Sequence, residues 1–255
     1  MDGFYKNDFA SRDVLKQYGS NALMLYALQL KYGIDDIETV ASDSLTDGSD
    51  DKKCDMIYIN EEDGSAVIAQ SYYSNNNNQG HNKTSPSNKA SDLNTAAAWV
   101  LTAKESEIPE ILRSGAIALR SAIMNNKISI LYFWYVHNLM ESDNVAKELE
   151  RVENTAKSIL ETNYPDNNVV VNSLEIGDKR LSDLYSSTKS VIVVNDQIEF
   201  DTDGKYFYLE DNDWSAYQTF ITGKRIYDIY KKYQDKLFSA NPRRFLGMGK
   251  RKNII

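Results

Sequence analysis

The 255-residue chain has a single cysteine, Cys54, and only two histidines, His81 and His137. One cysteine excludes an internal disulfide framework and suits a reducing compartment, so a cytoplasmic location is expected. The same scarcity makes a zinc site a poor expectation and leaves little for Cys-His or Ser-His catalysis. Long apolar runs are missing too. The longest, Ile128–Val136, has a strand's length and falls far short of a membrane span. No basic segment followed by an apolar one opens the chain, so neither a signal peptide nor a membrane partner is expected. What remains are carboxylates, amides and lysines, the groups that work with a hard divalent cation.

Composition is otherwise that of a folded protein, with 42% hydrophobic and 26% charged residues. The length allows one large domain or two small ones. Net charge is −8, unevenly spread: from Lys224 onward ten Lys/Arg oppose Asp228 and Asp235, a local +8 that leaves −16 for the first 223 residues. An acidic body does not favour strong nonspecific nucleic-acid binding. The basic stretch, with Arg243, Arg244, Lys250, Arg251 and Lys252, is either a nucleic-acid patch or a solvated end.

Along the chain, residues 13–32 predict a helix on the spacing of Val14, Leu15, Tyr18, Ala22, Leu25 and Leu30, with Gly19–Ser20 a place to split it and Gly33 a stop. Residues 36–42 read as a short strand. Cys54–Asn60 alternates as a strand, Glu61–Gly64 is a hairpin turn, and Ala66–Tyr73 is the return strand. Ser74–Ser87, with its run Asn75–Asn78, reads as a polar loop. Helices follow over Lys89–Ala103 and from Pro109 to about Asn125, then the apolar strand Ile128–Val136. The expected fold class is α/β, with a restriction-endonuclease-like core in the order α-β-β-β-α-β. Its central mixed sheet is flanked by helices, and a smaller α/β unit follows. That second unit predicts a helix over Ser142–Asn163, capped by Ser142 or Asp143, and a strand over Val169–Ile176. A short helix over Asp178–Ser186 and strands over Ser190–Phe200 and Gly204–Leu209 come next, with Asp213–Leu237 mostly helix broken at Gly223. The expected division is 1–137 for the core, 138–240 for a subdomain or an extension of the first sheet, and 241–255 for the opening of a further carboxy-terminal domain.

The chemistry concentrates on the hairpin. Metal-dependent phosphodiester hydrolysis needs an activated water and relief of charge on phosphate. PD-(D/E)xK folds meet both with a carboxylate at the start of one hairpin strand and an acid-x-Lys pair on the next, two residues apart and so on one face. Asp55 opens the first strand, and Gln70-Ser71-Tyr72 occupies the acid-x-Lys place fifteen residues on. The Gln carbonyl oxygen can still ligate a metal, but Tyr72 carries no cationic charge at neutral pH. Lys89 at the start of a helix is the preferred replacement, with Lys83 behind it. Asp51 adds a third metal-ligating candidate to Asp55 and Gln70, while Asp47 and Asp50 read as a solvated turn. Against this, Asp55 also fits an ordinary strand-edge residue, Gln70 a buried hydrogen-bond partner, and Lys89 an exposed helix position with Asp92 as its i,i+3 partner.

The segments TDGSDDKKCDMIYIN (46–60), AQSYY (69–73), SNKASDLNTAAAWVL (87–101), YVHNLMESDNVAKELE (135–150) and LFSANPRRFLG (237–247) resemble the amino-terminal region of the abortive-infection phage-resistance (AIPR) family. The resemblance implies a PD-(D/E)xK nuclease-like fold, a bacterial phage-defence setting, and Mg²⁺ or Mn²⁺ as cofactor. Carried over by position, Asp55 is the motif aspartate and Gln70 the acid-equivalent, with Lys89 either a migrated catalytic lysine or cleavage lost, and nucleic acid, DNA before RNA, is the expected substrate. Many members carry Lys where Tyr72 stands. Three readings follow: a metal-dependent nuclease, a nuclease fold that binds nucleic acid or a phage component without cleaving, and an oligomerisation region, dimeric for preference, serving a carboxy-terminal effector.

Overall fold

Two structural units make up the chain, one built on residues up to Tyr185 and the other running from Ser186 to Arg244. The computed structural model describes residues 4–46, 48–74, 83–189, 198–199, 204–233 and 237. The first unit is an α/β domain whose sheet has four strands in the order β1 (Met56–Asn60), β2 (Ser65–Tyr72), β3 (Ile130–His137) and β4 (Val170–Ile176). β1 and β2 form the expected antiparallel hairpin, and β2, β3 and β4 run parallel, so the sheet is mixed.

Parallel neighbours need crossovers, and helices provide them. Between β2 and β3 lie α5 (Ser87–Ser91), α6 (Leu93–Thr102) and α7 (Glu110–Met124); between β3 and β4 lies α8 (Asp143–Asn163). These cover one sheet face, where Ile57, Ile68, Leu131, Phe133 and Tyr135 meet Leu93, Val100, Leu112, Val145 and Leu149. The opposite face carries Met56, Val67, Ala69, Trp134 and Val136. It is covered by the amino-terminal helices, among them α3 (Ala22–Tyr32) and α4 (Ile37–Ser44), and by the first turns of α9 (Asp178–Lys189). β3 is therefore buried on both sides, as its unbroken apolar run predicts. The helix predicted over 13–32 is split where Gly19–Ser20 stands, into α2 (Asp13–Lys16), a 3-10 turn (Gly19–Asn21) and α3; α1 (Phe4–Ala10) precedes them. Ser142 is the cap of α8, its hydroxyl accepting from Val145 N at 3.3 Å.

Two expectations are corrected. Residues 36–42 are not a strand. Asp36 caps α4 by accepting from Thr39 N at 3.1 Å, and Ile37, Ala41 and Ser44 make a buried helical stripe. The three-strand run α-β-β-β is thus two strands after a helix. The sheet instead gains β4 from the region after 138, which joins residues 138–185 to the first sheet. In the second unit the helix predicted from Asp213 is a strand at first. β5 (Tyr206–Asp211) pairs antiparallel with β6 (Trp214–Thr219), and α10 (Gly223–Tyr233) begins at Gly223. Trp214, Tyr217 and Phe220 recur at a spacing of three, which imitates a helix and hides the strand period. Among the described residues no helix is long and apolar enough to cross a membrane.

Two attachments lock the segment after β2. Ser74 exchanges hydrogen bonds with the Asn138 side chain at 2.9 and 3.0 Å, and Met140 N donates to Lys83 O at 3.1 Å beside a Thr84–Met140 bridge. Another lock closes α6, whose last carbonyls lack intrahelical donors. The Arg120 guanidinium from α7 donates to Trp99 O, Val100 O and Ala103 O at 2.9, 2.7 and 2.7 Å. Arg120→Ala is expected to lower unfolding free energy in urea by about 2–3 kcal/mol, because it strands these carbonyls. Arg120→Lys should recover only part of that, since an ammonium does not reproduce the planar fork.

Candidate functional site

Asp55 is held from three directions. Its N–H donates to Ala69 O at 2.9 Å and its C=O accepts from Thr46 N at 3.0 Å. Its carboxylate Oδ2 accepts from Ser71 N at 2.7 Å and lies 3.1 Å from the Ser71 hydroxyl. That hydroxyl also lies 2.8 Å from Asn21 Oδ1, so one proton serves two acceptors. The start of β1 is thereby tied to the end of β2, and Met56↔Ala69 in the ladder sets Asp55 beside Gln70.

The approach to Asp55 is a tight turn. Cys54 N donates to Asp51 O at 3.0 Å across Lys52 and Lys53, whose φ values are 52° and 68°. Two left-handed central residues make the type I′ pattern, which prefers Asn-Gly and strains lysine. Asp51 spends its carboxylate here, with Oδ1 accepting from Lys53 N at 2.8 Å.

Gln70 is 5% exposed, and its Oε1 has no hydrogen-bond partner. Tyr72 is partly buried and packs its ring on the apolar cluster under α5 and α8. A lysine at that position would have to bring its ammonium out of that cluster. Lys89, the third residue of α5, is half-buried and has no polar partner among the described residues; no ion pair joins it to Asp92. Asp55 and Gln70 are thus brought together, Lys89 stands on the helix that follows β2, and Asp51 turns to its own backbone. Asp47, His81, Arg243, Arg244, Lys250, Arg251, Lys252 and most of the strand expected over Ser190–Phe200 lie outside the described residues.

Sequence reasoning missed the β3 and β4 side of this end of the sheet. Gln70, Tyr135 and Glu175 are register partners across β2, β3 and β4. Tyr135 donates to Pro86 O at 3.3 Å, and burial, foremost, holds its phenol well above the ordinary tyrosine range. His137 is fully buried: its Nδ1 accepts from Leu139 N at 3.3 Å, so the ring proton sits on Nε2 and is donated to Glu175 Oε1 at 3.0 Å. Glu175 also accepts from Ser142 N, at 3.2 and 3.1 Å. This pair is fully used within the fold. The signal for Tyr135 was hidden by the apolar run it sits in.

The fit to a hard cation rests on Asp55 and Gln70. A buried amide oxygen without a partner, on the strand beside Asp55 whose Oδ2 is held by Ser71, offers oxygen ligands of the kind that Mg²⁺ or Mn²⁺ takes. Among the described residues no three His, Cys, Asp or Glu side chains converge to hold a metal ion.

Lys53→Gly is expected to raise unfolding free energy by about 1 kcal/mol, by relieving the left-handed turn. Cys54, next to Asp55, is fully buried, and burial pushes its thiol up to about 12 from 9.0. Because the folded value is the higher one, the contribution of the protonated thiol to stability is complete below pH 9 and is lost as pH rises toward 12. Ellman's reagent should therefore leave the native protein unlabelled at pH 8 and label it in denaturing urea. No model of a protein family, no curated protein and no solved structure matches this chain.

Proposed function

We propose that the unit up to Tyr185 is a restriction-endonuclease-like domain of the PD-(D/E)xK type. It would belong to an abortive-infection protein of the AIPR kind, hydrolysing nucleic-acid phosphodiesters, DNA before RNA, with Mg²⁺ or Mn²⁺ in the bacterial cytoplasm. The observation that carries the reading is the partnerless buried Oε1 of Gln70 beside Asp55 at the end of the β1–β2 hairpin. Asp55 and Gln70 would hold the cation. When bound, it would lower the pKa of an attacking water and neutralise phosphate charge. The Ser71 amide and hydroxyl hold the Asp55 carboxylate in one orientation. Lys89, without a polar partner among the described residues, would supply the positive charge for phosphate that Tyr72 lacks.

A second reading, a nuclease fold that binds without cleaving, is favoured by Tyr72, whose ring is built into the apolar cluster. Purified protein incubated with single- and double-stranded DNA and RNA in Mg²⁺ or in Mn²⁺ separates the two. Cleavage that Asp55→Ala lowers by about a hundredfold or more, and Lys89→Ala by a smaller factor, is expected. Cleavage unchanged in Asp55→Ala would remove the assignment. No cleavage in either metal, together with salt-sensitive binding weakened by neutralising Arg243, Arg244, Lys250, Arg251 and Lys252, would establish the second reading.

A further inference from the structure

In the second unit the β5–β6 hairpin is uncovered. Every residue of β5 is exposed, Phe207 at 73% and Leu209 at 64% among them. A lone two-stranded hairpin is marginal in water. Both of its faces carry aromatic side chains. On one, Tyr206 and Tyr208 meet Tyr217 with ring centroids 5.6 and 4.7 Å apart; on the other stand Phe207, Leu209 and Trp214.

β5 is also an open edge. Among the described residues its only ladder is the one to β6. The turn at 212–213 closes on Asp211 and Trp214, so Asp211, Leu209 and Phe207 direct their N–H and C=O groups to β6. Tyr206, Tyr208 and Glu210 turn theirs outward. Soluble proteins commonly blunt such an edge with a proline, a bulge or a charge at its centre. β5 has none of these, and its charges stand at its ends.

The position of those charges selects the partner. The stretch reads Lys205-Tyr206-Phe207-Tyr208-Leu209-Glu210-Asp211. Laid antiparallel against a second copy of itself about a twofold axis at Tyr208, it sets Lys205 opposite Asp211 and Phe207 opposite Leu209, each at two symmetric places. Tyr208 meets its own symmetry mate, and Tyr206 meets Glu210. The outward groups of 206, 208 and 210 then face those of 210, 208 and 206, so each donor finds an acceptor. An axis at Glu210 would instead set two carboxylates against each other. The outer edge of β6, with Ser215, Tyr217 and Thr219, has no charge to pair.

We propose that β5 is a homodimerisation edge: two copies of this chain join β5 to β5 about a twofold axis at Tyr208, and their hairpins become one four-stranded antiparallel sheet. The same patch serves both copies, so the assembly closes at two. The proposal concerns the second unit alone and does not depend on the roles given to Asp55 and Gln70.

Sedimentation of the full chain is expected to show a concentration-dependent dimer. Lys205→Asp places like charges opposite each other and should weaken the dimer about tenfold or more, as should Asp211→Lys. The double variant exchanges the two charges and should restore it, an outcome that misfolding cannot produce. Tyr208→Cys brings two thiols across the axis with Cα atoms about 5.5 Å apart, and should cross-link on mild oxidation. Ser215→Cys, on the far strand, should not; Cys54 is buried and does not compete. A parent protein that sediments as a monomer at every concentration overturns the proposal, whatever else covers β5. So does a dimer that neither charge reversal weakens, or one that Tyr208→Cys fails to cross-link, since that dimer uses another surface.

Discussion

Burial of β3 on both faces is the constraint from which the first unit follows. Phe133 and Tyr135 need cover on one side, and Trp134 and Val136 on the other. A strand so placed cannot stand at an edge, so β2 and β4 must flank it, and parallel flanks require α5–α7 and α8 as crossovers on one face. The remaining face is left to α3, α4 and α9. Trp134 is fully sunk into that second layer, with its ring stacked 6.2 Å from Tyr32. Removing either layer would expose half of the central strand.

The hairpin was legible in the sequence because its signals are local. Alternation in MIYIN and the turn at Glu61–Gly64 need nothing from elsewhere in the chain. Residues 36–42 were misread because a seven-residue window hides its period, and the deciding feature was the Asp36 cap. Residues 214–219 failed for the converse reason, with exposed aromatics three residues apart whose spacing merges with the helical spacing of α10. The placement of Asp55 and Gln70 on neighbouring strands was legible from strand spacing. That of Tyr135 beside Gln70 was not, because it follows only once β2 and β3 pair across the helical crossover.

Tyr72 changes meaning in three dimensions. In the sequence it is a missing charge. In the fold it is a packing residue on the apolar cluster. A cationic side chain at 72 and a dense apolar contact under α5 are competing uses of one position. The nearest lysine along the chain on a rigid element is then Lys89, within α5, the helix that follows β2.

The paired anchors on either side of residues 75–82 have an engineering consequence. Ser74 is tied to Asn138, and Lys83 and Thr84 to Met140, so both stems are fastened to the same three-residue stretch after β3. Between fixed stems, doubling the length of a connecting segment costs only about 0.6 kcal/mol in closure entropy. With both stems so fastened, added length between them is expected to leave the register of β2 and β3, and the spacing of Gln70 from Tyr135, untouched.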